Sequence, residues 1–278
     1  MNIFSKTFNT YHLSIFFISD AHEGNINHNK DKFNYAINYI KKTVKDRDVS
    51  VIDLGDPCDA ILHTDKKRFD PDTIDPSYSI KDLDDLPRIQ ADKYIEKINP
   101  IISNYDILLR SNHSNSIRKY HQFDIDKYIS DNTKSFLMDY EGIYSITLNP
   151  HGNASYKILI ALTHGCGGGG FKAGYSTSNV VDYFENKYIV DIGIMAHTHR
   201  LLTYQTKYFS VDNKNNLKEN IVWYGNSGCF LETYIEGNDN YNHSKSPVSQ
   251  TGFLELQIDC IKINDKEIIQ KKLISHPL

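Results

Sequence analysis

The chain has 278 residues, of which 40% are hydrophobic and 24% are charged, as expected for a globular protein that can bury a sizeable core. Its net charge of −4 excludes a globally basic surface that would hold nucleic acid by bulk electrostatics, and leaves only a local basic patch open. The apolar run HLSIFFIS near the N-terminus is too short to span a membrane and no cleavage site follows it, so we expect a buried strand. The four cysteines are far apart and form no C-x-x-C pair, which favours a reducing, cytoplasmic setting.

Five apolar runs predict buried strands that each end in polar residues. Runs of this length, rich in Ile, Leu and Val, are typical of strands inside a sheet that is covered on both faces. They are residues 13–22, 49–56, 105–113, 157–165 and 191–199.

Helices and loops alternate with these strands. Apolar residues at three- and four-residue spacing predict helices over 32–45, 87–102 and 176–188. Residues 63–86 are rich in Asp, Pro and Ser and predict a long loop, and residues 236–250 predict a second polar loop.

The pattern after residue 200 is β-like. No internal repeat or linker interrupts the chain, so we predict one α/β domain over 1–278, with a β-rich part, 201–278, that completes the second of two sheets.

Each of the five predicted strands ends in side chains that can bind metal. Ligands in α/β sheets gather at the carboxyl ends of strands, so these ends predict one site at one edge. Alternation along an extended chain would let residues two apart, as in D-x-H and H-x-H, face the same pocket. Any one of these motifs alone is more often a chance surface or turn residue, and only the ordered set predicts a metal centre. The residues are Asp20, His22, Asp56, Asp59, Asn112, His113, His164, His197 and His199.

The ordered set resembles the calcineurin-like metallophosphoesterases. It is written here as DAH (20–22), GDPCD (55–59), SNHS (111–114), THG (163–165) and AHTHR (196–200), so the resemblance spans residues 20–200. The stretch HGCGGGG and the helix after it look most like members encoded by phages and prophages. The resemblance implies a four-layer α-β-β-α sandwich, in which two packed mixed sheets are flanked by helices.

The resemblance also implies a role for each matching residue. Asp20, His22, Asp56 and His199 would bind one divalent ion. Asp56, Asn112, His164 and His197 would bind the other, with Asp56 as the bridge. A bridging hydroxide would attack phosphorus, and His113 would protonate the leaving oxygen or stabilise its charge. Mixed nitrogen and oxygen ligands suit Mn, Fe, Zn or Ni, and Mn is our first choice.

Further residues could contact the phosphate. Arg118 and Arg200 are candidates, although ordinary exposed arginines explain them as well. Gly167 and Gly168 could present backbone N–H groups to an anion, or could simply form a loop with no ligand.

Three positions differ from the family pattern. Ser111 and Ala196 stand where Gly is usual, which predicts turns that tolerate a Cβ atom. Ser114 stands where an acid is usual, which predicts the loss of a partner that would orient His113.

The leading hypothesis is therefore a two-metal phosphodiesterase of the nuclease or cyclic-nucleotide type. A phosphomonoesterase that acts on a nucleotide, a phosphoprotein or a small phosphate uses the same groups and stays open. A metal-binding interaction scaffold is the third hypothesis, and the presence of His113 argues against it. The expected partner is a phosphate ester, with a nucleic acid or a nucleotide left open, and no membrane is expected.

Overall fold

The computed structural model describes residues 2–60, 62–66, 69–150, 155–166, 174–233, 248–263 and 266–278. Its strands are β1 (Asn2–Phe8), β2 (His12–Ile18), β3 (Asp48–Asp53), β4 (Tyr105–Leu109), β5 (Phe136–Met138), β6 (Glu141–Leu148), β7 (Tyr156–Thr163), β8 (Ile192–Met195), β9 (Leu201–Val211), β10 (Leu217–Ser227), β11 (Gly252–Ile263) and β12 (Lys266–Pro277). Its α-helices are α1 (Lys30–Thr43), α2 (Leu86–Ile98), α3 (Asn112–His121), α4 (Ile125–Thr133) and α5 (Tyr175–Glu185).

The strands form two mixed sheets of six strands each. The first sheet has the order β12–β11–β2–β3–β4–β5, in which β2 to β5 are parallel and β11 runs antiparallel to both of its neighbours. The second sheet has the order β1–β6–β7–β8–β10–β9, in which β6–β7 and β10–β9 are the antiparallel pairs.

Three apolar clusters hold the layers together. Alternate residues of β2 show the division: Leu13, Ile15 and Phe17 lie in the cluster between the sheets, whereas Phe16 and Ile18 lie in the cluster under the helices of the first sheet. A third cluster packs α5 onto the outer face of the second sheet. The predicted sandwich of two mixed sheets flanked by helices is therefore confirmed, and burial on both faces explains the unbroken apolar runs.

The five predicted metal-bearing strands are present as β2, β3, β4, β7 and β8. The single edge predicted from the sequence requires all five strands to lie in one sheet, but they do not. The first three belong to the first sheet and the other two to the second, so the site is built where two sheets meet.

The chain after residue 200 is also divided between the sheets, which corrects the prediction that 201–278 completes the second one. β9 and β10 extend the second sheet, whereas β11 and β12 extend the first. On the face of β11 towards the second sheet, Leu254, Leu256 and Ile258 join the cluster between the sheets. On the helix side, Phe253 joins the other cluster and the buried Glu255 accepts the Ser14 hydroxyl of β2 at 2.7 Å.

Two helices form where the sequence predicted none, namely α3 and α4. The predicted loop 63–86 contains two short 3-10 helices, at Pro71–Thr73 and Ile80–Asp85, and its backbone bonds to Gly24 and Ile26 just after the first metal motif. Most of the predicted loop 236–250 lies outside the described residues. No helix in the described part of the chain combines the length and apolar character that a membrane crossing requires.

Candidate metal centre

One group of potential ligands forms around Asp20. Its Oδ1 atom lies 3.3 Å from Nε2 of His199 and 3.8 Å from Nε2 of His22. The ligand atoms of these three residues all lie within 4.8 Å of one another. Asp20 and His22 follow β2 of the first sheet, and His199 follows β8 of the second, so this group joins the two sheets.

A second group forms around Asp56. The Nε2 atom of His164 lies 3.3 Å from Oδ2 of Asp56 and 2.8 Å from Oδ1 of Asn112. His197 completes the group, and the ligand atoms of Asp56, His164 and His197 all lie within 4.8 Å of one another. The Nδ1–H of His164 donates to the Leu54 carbonyl at 2.8 Å, which fixes the ring with Nε2 towards the group. His197 and His199 therefore belong to different groups.

The backbone that carries these ligands is left-handed, which corrects the argument from strand alternation. Asp20, His22, Asp56, His197 and His199 all have φ between 49° and 68°. The D-x-H and H-x-H segments are thus turns beyond the strand ends. Non-glycine residues adopt this conformation rarely, and Asp and His are among those that tolerate it best. In the second motif, the Thr198 N–H donates to the Ala196 carbonyl at 2.8 Å and closes a tight turn around His197.

The residues present fit a divalent metal. Oδ1 of Asp20 and Nε2 of His22 are shielded from solvent, and neither has a hydrogen-bond partner in the described part of the chain. Buried polar atoms without partners are costly, so an ion between them would satisfy both. Imidazole nitrogen with carboxylate and amide oxygen is a donor set for borderline divalent ions.

His113 lies beside both groups and is held by Asp59. Its Nδ1–H donates to the Asp59 carbonyl at 2.5 Å, and its backbone N–H donates to Oδ1 of Asp56 at 3.2 Å. The Nε2 atom is then the free position of the ring, 4.0 Å from Oδ2 of Asp56.

Asp59 is a residue whose role the sequence did not predict, although it closes the G-D-x-x-D motif. Its carboxylate lies 3.4 Å from Nδ1 of His22 and 3.8 Å from Nδ1 of His113, and the three form a third group with ligand atoms within 4.8 Å. A carboxylate behind a ligating imidazole orients the ring and raises its basicity. Asp59 is placed to do this for His22.

The charges in the centre are strongly coupled. Burial alone would raise the pKa of the Asp20 carboxyl, but the contact with His199 outweighs it and the pKa falls to about 2. Burial likewise opposes ionisation of Asp56, yet His113 and His164 hold its pKa well below the ordinary value. Burial would lower the pKa of His164, but Asp56 raises it to about 9. Both carboxylates are thus ionised at neutral pH, as metal ligation requires.

The three unusual positions have physical explanations. Ser111 has an extended backbone with φ −139°, and Ala196 is not left-handed, so neither needs glycine. Ser114 completes a capping box at the start of α3, where its hydroxyl accepts the Ser111 N–H at 3.2 Å. His113 keeps a partner through Asp59, which corrects the expected loss of orientation.

Two buried contacts support the turns. The amide of Asn226, in the stretch WYGNSG, donates to Thr198 Oγ1 at 2.7 Å and so supports the turn that carries both histidines. Asp53 accepts the Gly55 N–H at 2.9 Å before Asp56. Gly55 itself has φ +107°, and a Cβ there would lie 2.8 Å from that of Ser111, so this glycine is required.

The predicted phosphate contacts are not joined to either group by the described hydrogen bonds. Arg118 is exposed on α3 and donates to Asn115 at 2.8 Å, and Arg200 donates to the Val248 carbonyl at 3.0 Å. Gly167 and Gly168 lie outside the described residues. Cys58, beside Asp56, is buried, and burial raises the pKa of its thiol well above the ordinary value.

Comparison with known proteins gives weak structural likenesses. No protein-family model and no curated protein matches the sequence. The crystal structure of a Vps29 variant with one substitution, from Entamoeba histolytica, is similar to this structure with a TM-score of 0.38 and 10% sequence identity. The match covers 95% of this chain and 99% of that one. Vacuolar Protein Sorting 29 from Cryptosporidium parvum gives 0.38 and 11%, over 96% and 100%. NAD nucleotidase (NadN) from Haemophilus influenzae gives 0.39 and 11%, over 96% of this chain but only 50% of that protein. Values this low establish neither family nor activity.

Proposed function

We propose that this protein is a phosphoesterase of the calcineurin-like kind that depends on two divalent metal ions. The observation that carries the proposal is the pairing of two buried His/Asp groups with His113, a histidine that is held beside them but belongs to neither. A structural metal site needs only the ligands. Catalysis also requires a proton donor, and an imidazole with one nitrogen held by a hydrogen bond and the other free is suited to that role.

The ligand sets follow the two groups. Asp20, His22 and His199 would hold one ion, and Asn112, His164 and His197 the other, with Asp56 shared between them. When bound, two ions would supply Lewis acidity, an activated water nucleophile and a net positive field for a phosphate. Mn²⁺ is the proposed metal, and Fe, Zn and Ni suit the same donors.

His113 would act on the leaving group. Its Nδ1–H is committed to the Asp59 carbonyl, so the proton it can transfer is on Nε2. Burial lowers the pKa of His113, which makes its imidazolium a stronger acid. Proton transfer of this kind is worth about 10²- to 10⁴-fold in rate. Arg118, Arg200, Gly167 and Gly168 remain proposed contacts of the substrate.

We propose a phosphodiester as the substrate, in a nucleic acid or a cyclic nucleotide. The support is the family resemblance of the motif set, since a phosphomonoesterase would use the same ligands and the same acid. The likeness to phage-encoded members and the cytoplasmic setting likewise stay predictions from the sequence.

A substrate panel with added Mn²⁺ tests the proposal. It comprises bis-p-nitrophenyl phosphate, p-nitrophenyl phosphate, single- and double-stranded DNA, RNA and cyclic dinucleotides, each with wild type and His113→Ala. We expect turnover of a diester by the wild type, and a variant that binds metal normally but turns over at least 100-fold more slowly, because the acid alone has been removed. Bound metal without turnover of any substrate would favour the interaction scaffold, and a fully active His113→Ala would refute the mechanism.

A further inference from the structure

The strand β9 forms one outer edge of the second sheet, and within the described residues the backbone groups on its free side beyond Leu201 form no hydrogen bond. β9 pairs only with β10 within the described residues, in an unbroken register of eleven residue pairs. The Asp212 N–H bonds to the Asn216 carbonyl and the Gly228 N–H to the Arg200 carbonyl, so the even-numbered residues of β9 face β10. The odd-numbered residues, from Thr203 to Val211, therefore direct N–H and C=O outwards.

This edge lacks the devices that prevent strand-to-strand association. Pairing of an edge strand with another chain is commonly prevented by a short strand, a proline, a β-bulge or charged side chains. Among the other edges, β5 has three residues, and β12 carries Lys266, Glu267, Lys271 and Lys272. β9 has eleven residues, no proline and no bulge. Its one charged residue, Lys207, is paired with Glu219 of β10 at 2.9 Å.

An apolar patch lies on one face of the same hairpin. Phe209 and Val211 are each 65% exposed, Leu217 is 70% exposed and Ile221 is 36% exposed. All four are odd-numbered in a register that pairs Val211 with Leu217, so they share a face. A Cβ on Gly225, also on that face, would meet Leu254 and Leu273 of the first sheet. The patch is thus the continuation of the inner face beyond the first sheet.

We propose that β9 pairs with β9 of a second copy of this chain, antiparallel and about a two-fold axis, to give a homodimer with one continuous sheet. The occupant is a second copy because the edge is complementary to itself. Overlap of β9 with its copy pairs residues 203 with 209 and 205 with 207, which are outward-facing residues. The pairing ends before Leu201, whose N–H already donates to Oε1 of Gln250 at 2.9 Å. Thr206 then lies on the axis, Tyr204 faces Tyr208 of the copy, and Lys207 faces Gln205 rather than another lysine. Thr–Thr and aromatic pairs across strands are favourable, and like charges are not opposed.

The two-fold axis also brings the β9 part of the apolar patch, Phe209 and Val211, against the second copy. It stands perpendicular to the sheet, so both first sheets lie on the same side of the joined sheet. Phe209 and Val211 of one copy then lie beside Thr203 and Leu201 of the other, where the hairpin leaves the body. Burial of this patch adds apolar area to the main-chain pairing, which a stable interface requires.

The oligomeric state of the full chain tests the proposal. Sedimentation equilibrium should give twice the 32.0 kDa chain mass at micromolar concentration. Gln205→Pro removes an outward N–H that β10 does not use, so it should leave thermal unfolding nearly unchanged and give a monomer. Gln205→Ala keeps the N–H and is the matched control that should stay dimeric. A wild-type monomer at all concentrations, or a dimer that Gln205→Pro leaves intact, would overturn the proposal.

Cross-linking tests the register, and does not depend on the proline variant folding. All four native cysteines are free and only Cys166 is exposed, so Cys166→Ser gives a suitable background. Thr206→Cys should oxidise to a covalent dimer, because non-hydrogen-bonded pairs have Cα atoms about 4.5 Å apart, within disulfide range. Thr203→Cys, whose counterpart is remote in this register, should not. Failure of Thr206→Cys to cross-link, or cross-linking of Thr203→Cys to the same extent, would refute pairing in this register.

Discussion

Replacement of Asp59 by Asn separates the two roles that its position suggests. The carboxylate lies 3.4 Å from Nδ1 of His22, whereas His113 is held chiefly by the Asp59 backbone carbonyl at 2.5 Å. Asn keeps the shape and the carbonyl but loses the charge. We therefore expect metal affinity to fall and His113 to stay in place.

The size of the effect follows from the contacts that are lost. Outer partners of ligating histidines are worth about 10- to 100-fold in metal affinity, or roughly 1.4 to 2.7 kcal/mol. Calorimetric titration of the metal-free protein with Mn²⁺ should show one site weakened by that factor. At saturating Mn²⁺, kcat for a diester should change by less than about tenfold, since the acid is intact.

Asp75→Asn is the matched control, because Asp75 is a buried carboxylate that pairs with Lys30 outside the three groups. It should leave Mn²⁺ binding unchanged. Normal metal affinity in Asp59→Asn together with a collapse of kcat would refute the reasoning, since Asp59 would then act through His113 rather than His22.

Three further predictions address the centre and its surroundings. Asp56→Asn should lose both ions by elemental analysis after dialysis, because it removes the one carboxylate proposed to lie between them; retention of two ions would exclude a shared ligand. His197→Ala and His199→Ala should each retain one ion and lose a different one, which spectra of a Co²⁺-substituted protein would distinguish; identical spectra would contradict the division into two groups. Burial raises the pKa of Asp126, 4.0 Å from Arg110, to about 7 from an ordinary 3.8, so its contribution to stability is full below about pH 4 and is lost as the pH rises through 7. Asp126→Asn should therefore remove on the order of 4 kcal/mol of pH dependence from the free energy of unfolding over that range, and an unchanged dependence would refute this assignment.

The strands and the side chains that cluster as candidate ligands could be predicted from the sequence because both depend on local pattern. A strand buried on both faces must be largely apolar, as Ile15 to Ile18 and Ile158 to Leu162 are. A metal site needs specific side chains, and their residue types can be read directly from the sequence. The family resemblance then supplied an order that no single motif provides.

The remaining features depend on contacts between distant segments. The left-handed turns at Asp20 and His197 are set by hydrogen bonds between distant segments of the chain. The Asp20 N–H donates to the Gly55 carbonyl, and the His197 N–H donates to Asp20 Oδ2. Helix α3 was missed because Asn112 to His121 is largely polar, and its stability comes from capping and from packing of Ile117. The role of Asp59 depends on where His22 and His113 meet in space.

The left-handed backbone at the ligands also bears on how such a protein can change over generations. Asp, Asn and His tolerate that conformation, and Gly adopts it freely. A substitution of Asp20 or Asp56 by Asn would therefore abolish the charge and keep a side-chain oxygen without straining the chain path, whereas Val or Ile would strain it. Loss of chemistry and loss of shape are separate mutational events in this architecture. A descendant could give up the proposed hydrolysis in one step and keep the sandwich as a surface for other uses.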